Sequence, residues 1–314
     1  MKTPTNLKPI ISSDDFIVNI DDNIHKTLAM AEEIKNTTKN VVFALGNYLR
    51  ANKQYNQYNA VMNCGNFLMF KQYQNLEQTA KLDKANFCRH PLCPMCEHRK
   101  SLIEFNKLKI ATAEVETKGR LYHLVLAIPN TYSISKVELM NLKAKGVYFI
   151  KHHLNIKDYF SSLEVKYTKE KGFHPHLHIL LKSDKFISVD EDYIKKMSCL
   201  WKQTYFKAEK EYEGYTYYIR GLSSDKGLHE LTKYVVKGDT FDDIIDAIKK
   251  GLPKAIKGVR KYSAGGEFKK ALTNAKEKLT DELINESESL KNINYYYRVF
   301  EYITGKKGGK YVER

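Results

Sequence analysis

Three histidines alternate in the segment HPHLH, at His174, His176 and His178. On a β-strand, residues i, i+2 and i+4 share a face, so the imidazoles stand side by side while Leu177 and Ile179 turn the other way, into a core. Imidazoles presented in this way suit one divalent ion. The segment SSLEVKYT (161–168) reads as the preceding strand and KEKGF, with Gly172, as the turn between them, which makes the pair an antiparallel hairpin. With the turn centred near residue 170, Glu164 lies opposite His176 and adds a carboxylate. His174 is the other candidate for a third ligand. Two histidines and a carboxylate leave coordination positions open, as a catalytic ion needs if it is to polarise a phosphate oxygen. The mixed N/O set suits Mn or Mg, and zinc is compatible with the ligand types. A surface histidine cluster on an edge strand is the plain alternative, against which the apolar alternation argues.

A second constellation lies in LHELTKYVVK, read as part of a helix over 226–237. Leu228, Leu231 and Val235 form an apolar stripe, and Glu230, Tyr234 and Lys237 fall at i, i+4 and i+7 on the neighbouring one. A tyrosine can attack phosphorus and form a covalent intermediate. Glu230, one turn away, is placed to act as a general base, and Lys237 to neutralise a phosphate or phenolate. Most helical tyrosines are only packed, so this signal draws its weight from the histidine strand upstream. A third group is Cys88, Cys93 and Cys96, spaced C-x4-C-x2-C, with Cys64 upstream as a fourth thiolate. Four thiolates suit a closed, tetrahedral, structural zinc site; His90 or His98 is a possible replacement for one of them, and buried thiols without metal are the alternative. The remaining Cys199 reads as a small buried side chain.

These groups need elements to hold them. LYHLVLAIP (121–129) reads as a strand ending at Pro129, and Ser135 with Glu138 as a capping box opening a helix through about residue 153. A second capping box, Ser188 with Glu191, precedes Ile194, Met197 and Trp201 at helical spacing. Thr240 caps a helix over 241–250, Gly251 to Gly266 reads as a loop, and beyond it the chain reads as charged and helical with a basic tail, KKGGK. Strands interleaved with helices around a hairpin give an α+β fold: a central antiparallel sheet carrying the histidine strand, flanked by helices, with an N-terminal Cys-rich zinc-binding segment. The expected organisation is a variable helical region over 1–60, the Cys-rich segment over 61–110, a catalytic domain over 111–275 and a basic, Tyr-rich extension over 276–314.

The chain of 314 residues carries 52 Lys and Arg against 37 Asp and Glu, a formal net charge of +15. Such an excess favours a polyanionic partner. No apolar run approaches the ~20 residues needed to cross a bilayer, and the first residues lack a signal-peptide core, so a cytoplasmic protein without a membrane partner is expected. Nucleic acid is then the expected partner. Arg89, Arg99 and Lys100 around the cysteines, with Lys233 beside Tyr234, are candidate phosphate contacts. The 22 tyrosines, mixed with lysine, suit a surface that stacks bases, although AT-rich codon usage enriches the same residues.

The His-hydrophobic-His strand followed downstream by a tyrosine helix resembles the HUH endonuclease superfamily. Within it the chain is similar to plasmid rolling-circle replication initiators of the Rep_1 family, through NCGNFLMF (63–70), NFCRHPLCPMCEHRKSL (86–102), SLEVKYT (162–168), FHPHLHILL (173–181), ELTKYVVK (230–237) and KGVRKYSAGGEFKKAL (257–272). The resemblance covers roughly residues 60–275 and implies His176 and His178 as metal ligands. It implies Tyr234 as the residue that nicks origin DNA and keeps its 5′ end, with the freed 3′ hydroxyl priming a host DNA polymerase beside a host helicase. It implies Glu230 as the glutamate that ends the cycle by activating water. Relatives usually show a more basic, often Trp-containing segment where His98 and Arg99 stand, which leaves local DNA contacts open. Another HUH nuclease, transposase or relaxase, is the first alternative, although relaxases usually place the tyrosine before the histidines. A non-enzymatic, zinc-stabilised DNA-binding repressor is the second; it leaves the histidine strand unexplained.

Overall fold

Two long runs rich in β-branched and aromatic residues, YFSSLEVKYT and GFHPHLHILLKS, pair at the centre of the molecule. The computed structural model describes residues 24–74, 80–116, 119–206, 215–222, 225–232, 236–289, 294–306 and 308–314. In chain order the elements are α1 (Ile24–Thr37), α2 (Lys39–Ala51), α3 (Tyr55–Met62), β1 (Phe67–Tyr73), β2 (Ala80–Ala85), α4 (Pro94–Glu116), β3 (Arg120–Ala127), α5 (Lys136–His152), β4 (Tyr159–Thr168) and β5 (Gly172–Ser183). There follow α6 (Glu191–Phe206), β6 (Thr216–Gly221), α7 (Asp225–Thr232), β7 (Val236–Gly238), α8 (Phe241–Lys249), α9 (Leu252–Ile256), β8 (Tyr262–Gly265), α10 (Gly266–Ser289), β9 (Tyr295–Gly305) and β10 (Gly308–Glu313).

The larger sheet has the order β6-β3-β5-β4-β7, and β8 pairs with the other end of β4. Every pair is antiparallel except β4 with β7. One face, carrying Leu177, Ile179 and Leu181, packs against Leu139, Leu142 and Phe149 of α5, Trp201 of α6, and α8 and α9. The opposite face is divided. Phe160, Leu121 and Leu180 lie under Phe105 and Leu108 of α4, Leu228 and Leu231 of α7, and Phe268 of α10. The rest of that face carries the histidines. Each fully buried Leu or Phe contributes about 1.5–3 kcal/mol, so the two packed layers hold the sheet, and its polar strip, rigidly. A smaller antiparallel sheet, β10-β9-β1-β2, packs one face on α1 and the cysteines. The fold is therefore α+β with antiparallel sheets flanked by helices. No helix among the described residues is long and apolar enough to cross a membrane.

Local signals act as their chemistry requires. Ser135 and Glu138 form both halves of the capping box of α5, and Thr240 with Asp243 does the same for α8. At the β4–β5 turn, Gly172 adopts φ +75°, and a Cβ there would run into the Thr131 carbonyl oxygen. Phe173 and Thr131 exchange backbone hydrogen bonds of 2.7 and 2.9 Å, which fixes this end of the histidine strand.

Several expectations are corrected. Asp190, not Ser188, caps α6: its carboxylate accepts from the Tyr193 N–H at 2.7 Å, while Ser188 serves Asp190. Of the helix expected over 226–237, the described residues include Asp225–Thr232 as helix, whereas Val236–Gly238 is a strand beside Val165–Tyr167. Val236, β-branched, suits a strand at the edge of β4, where it pairs with Val165. The same edge takes up Tyr262–Gly265, so the expected loop from Gly251 to Gly266 contains β8 as well as the short α9. The extension over 276–314, read as charged and helical with a basic tail, is helical only in its first part and then carries the paired strands β9 and β10. Cys199 is exposed, because α6 turns Met197, Trp201 and Thr204 inward instead.

Candidate functional site

The β4–β5 register sets Glu164 against His176 and Ser162 against His178. The three side chains Glu164, His176 and His178 are buried, and their ligand atoms gather within 4.8 Å of one another. His176 Nε2 and His178 Nε2 lie 3.1 Å apart, with Glu164 Oε1 3.2 Å from the first and Oε2 3.5 Å from the second. An octahedral ion with ligand bonds near 2.1 Å separates adjacent ligands by about 3.0 Å, so these edges fit one cation. His176 Nδ1–H donates to the His174 carbonyl at 3.1 Å, which turns the Nε2 lone pair toward the group. His174 itself is on the same face, its ring 5.4 Å from that of His176, and outside the close group.

Electrostatics prepare the site for a cation. Burial pushes the Glu164 carboxyl up, but contacts with His176 and His178 and the Lys237 charge more than reverse this, leaving it well below the usual carboxylate range. Burial pushes His178 down, and His174 down to about 4. The lowering favours the neutral form of His178, the form in which an imidazole can ligate a metal.

Around this group stand residues from other elements. Lys237 Nζ is 2.7 Å from Glu164 Oε2 and 3.9 Å from Glu230 Oε2, so Lys237 and Glu230 do meet, the lysine arriving from β7 and not from the helix of Glu230. His123, from β3, places Nε2 3.0 Å from His178 Nδ1, and Arg220 of β6 reaches 3.4 Å from His123 Nδ1. Burial, with His178 and Arg220 nearby, lowers His123 to about 3. Sequence reading missed His123: it stands alone in LYHLVLA, and only strand pairing brings it to His178. Tyr234 and Lys233 lie outside the described residues, as does Val235.

The chain leading toward them is held firmly. The Thr232 carbonyl, at the end of α7, accepts from Ser101 Oγ at 2.6 Å, Tyr262 Oη at 3.0 Å and Lys261 Nζ at 3.5 Å. Lys261 is 4 % exposed and also lies 3.5 Å from Glu97, itself 4 % exposed; burial lowers the lysine to about 8. Replacing Lys261 by Met takes the cation from a buried carboxylate and a donor from Thr232. We expect a loss of about 3 kcal/mol in folding stability, read from the urea midpoint of the purified variant. An unchanged midpoint would show that the buried pair contributes nothing net.

Cys64, Cys88, Cys93 and Cys96 form the second close group. Cys64 and Cys88 place their sulfurs 3.5 and 3.6 Å from that of Cys96. Tetrahedral zinc with bonds near 2.3 Å spaces its sulfurs about 3.8 Å apart, so the arrangement fits such an ion. Backbone N–H groups point at the sulfurs: Arg89 N to Cys96 at 3.2 Å, and Cys88 N to Cys64 and His90 N to Cys88 at 3.4 Å each. Arg89 adopts φ +57° to aim them. Pro94 begins α4, which sets Cys96 in its positive first turn. Hydrogen bonding among the sulfurs drives Cys96 and Cys88 down and Cys64 and Cys93 up. Lys35, unnoticed in the sequence, donates to the Cys64 carbonyl at 2.9 Å and brings a cation to the cluster. His90 Nδ1 accepts from Leu92 N instead of joining it. Arg89, Arg99 and Lys100 are exposed nearby, Arg99 over the Phe87 ring and Lys100 over Tyr262.

A sheet bearing a His-x-His pair and a facing carboxylate, together with a close group of four cysteines, gives two sets of side chains that could each hold a metal ion. Residues 79–312 match the Rep_1 family, described as replication protein, and the chain belongs to that family. It is 28% identical over 235 residues to a protein rep of Lactiplantibacillus plantarum, covering 67% of this chain and 72% of that one. A protein rep of Staphylococcus aureus is 27% identical over 208 residues, 59% of this chain and 84% of its own. One from Lentilactobacillus hilgardii is 25% identical over 244 residues, 71% and 76%. No solved structure matches.

Proposed function

We propose that this chain initiates plasmid replication by nicking one strand of origin DNA, with Tyr234 as nucleophile. The observation that carries the reading is the close Glu164–His176–His178 group on the polar half of the sheet, in a Rep_1 chain of net charge +15. Glu164, His176 and His178 would hold Mn or Mg, which would supply positive charge to a phosphate oxygen. Lys237 and Arg220 neutralise the other phosphate oxygens from the two sides of the group. The Tyr234 oxygen bonds to phosphorus as the bond to the 3′ oxygen breaks, which conserves the phosphodiester as a 5′ phosphotyrosine and frees a 3′ hydroxyl. Host polymerase and helicase, in the cytoplasm, then extend and unwind. His123 acts through His178, whose ring it orients. A supercoiled plasmid carrying the origin should yield open circles with protein attached in Mn or Mg, and none in EDTA. Equal nicking in EDTA would refute the metal role.

The cysteine cluster is read as structural zinc, which closes the loop before α4 and presents Arg89, Arg99 and Lys100 to DNA. Lys233 adds charge beside Tyr234. Cys93→Ala is expected to lose one equivalent of zinc by elemental analysis and to melt well below wild type, because metal binding is coupled to folding. A variant that melts like wild type would remove the site from this account.

A further inference from the structure

The small sheet has one face on α1 and the cysteines, through Leu68, Phe70, Phe300 and Tyr311. Its other face is partly exposed: Tyr73 is buried, Met69, Lys71 and Val299 are half-buried, and Tyr295 and Tyr297 are exposed. Strand alternation places Met69 and Lys71 of β1 there, opposite Val299 and Tyr297 of β9, with Tyr295 next along the strand. Tyr295 and Tyr297 are 45% and 48% exposed, far more than a packed tyrosine needs. Their rings meet edge to face at 5.5 Å, Tyr73 supports Tyr295 at 6.0 Å, and the Lys71 ammonium sits 5.0 Å over the Tyr295 ring. The face is cationic on balance. Asp83 is paired with Lys71 at 3.3 Å and Glu301 with Arg314 at 2.8 Å, while Lys84 stands opposite Met69 and Lys310 opposite Ile303.

We infer that this face is a second DNA contact, a stacking platform for unpaired bases of single-stranded DNA. Aromatic rings held by the sheet, with lysines between them, match what such a strand offers: a π-face on every base and a phosphate between each pair. The Tyr295 and Tyr297 rings lie 5.5 Å apart at 77° to one another, so they offer faces in different directions, each to its own base of a flexible single strand. A duplex has no free base faces to give. The inference rests on the reading of the chain as an enzyme of origin DNA, which generates a single strand as it works. It accounts for part of the tyrosine excess, which the catalytic group does not use.

The test is anisotropy titration of a labelled oligothymidylate with the full chain, using Tyr295→Ala/Tyr297→Ala, Tyr295→Phe/Tyr297→Phe and Tyr132→Ala, the last an exposed tyrosine elsewhere. The double alanine variant should bind about 10- to 100-fold more weakly. The phenylalanine variant, which keeps both rings, should stay within about threefold, and Tyr132→Ala should match wild type. Affinity of the double alanine variant equal to that of Tyr132→Ala would overturn the inference. So would an equal loss on a blunt duplex, or a change of oligomeric state with oligonucleotide affinity intact, which would assign the face to a second copy. Adduct formation by wild type is scored separately. If it is absent while the alanine loss persists, the nicking reading falls and the platform stands; if adduct forms and the loss is absent, the reverse holds.

Discussion

Tyr234→Phe is expected to abolish the covalent protein–DNA adduct while origin binding stays within about twofold of wild type. Only a hydroxyl is removed, and phenylalanine keeps the ring. Without the oxygen no phosphotyrosine bond can form, so the adduct falls to background on a denaturing gel. Nicking should fall on the order of 10⁴-fold or more, the scale seen when a covalent nucleophile is deleted from an intact site. Metal binding gives an independent control, since Glu164, His176 and His178 are all untouched: Mn affinity by calorimetry should match wild type. An adduct of normal yield would move the nucleophile elsewhere, with exposed Tyr218 on β6, the strand of Arg220, the first to test.

How far the site could be read from the sequence depended on whether its parts were close along the chain. HPHLH carries its own geometry, because a period of two needs only the strand to form. Glu164 needed one further inference, the centre of the turn, and the pairing of Glu164 with His176 follows it. The Cys88, Cys93 and Cys96 spacing was equally local. Lys237 illustrates the limit. Helical spacing put it near Glu230, and it is near Glu230, but from the strand that pairs with β4. His123, Arg220 and Lys35 were invisible, since each is a lone polar residue whose partner is set by packing of distant elements. The C-terminal strands were missed for another reason. In NYYYRVFEYITG the tyrosines populate both faces, so the alternation that marks a half-buried strand is blurred, and the surrounding charge suggested a tail.

Glu230→Gln should separate the two ends of the replication cycle. In the proposed reading Tyr234 makes the first nick and Glu230 activates the water that makes the last cut. The glutamine keeps size and one acceptor oxygen but has no basic carboxylate. Its place beside Lys237, 3.9 Å from the ammonium, should survive as a neutral contact, and Lys237 retains its 2.7 Å pairing with Glu164. The first nick and the adduct should therefore remain within a few-fold of wild type. Hydrolysis at the regenerated origin should slow by about 10²–10⁴-fold, the usual contribution of a general base. In a plasmid assay, unit-length single-stranded circles would give way to long multimeric strands. The shared lysine makes the opposite outcome informative. If Glu230→Gln slowed the first nick as much as termination, the glutamate would be acting through Lys237 on the metal group, and Lys237→Met would reproduce its phenotype. If termination proceeded at the wild-type rate, Glu230 would have no part in activating water.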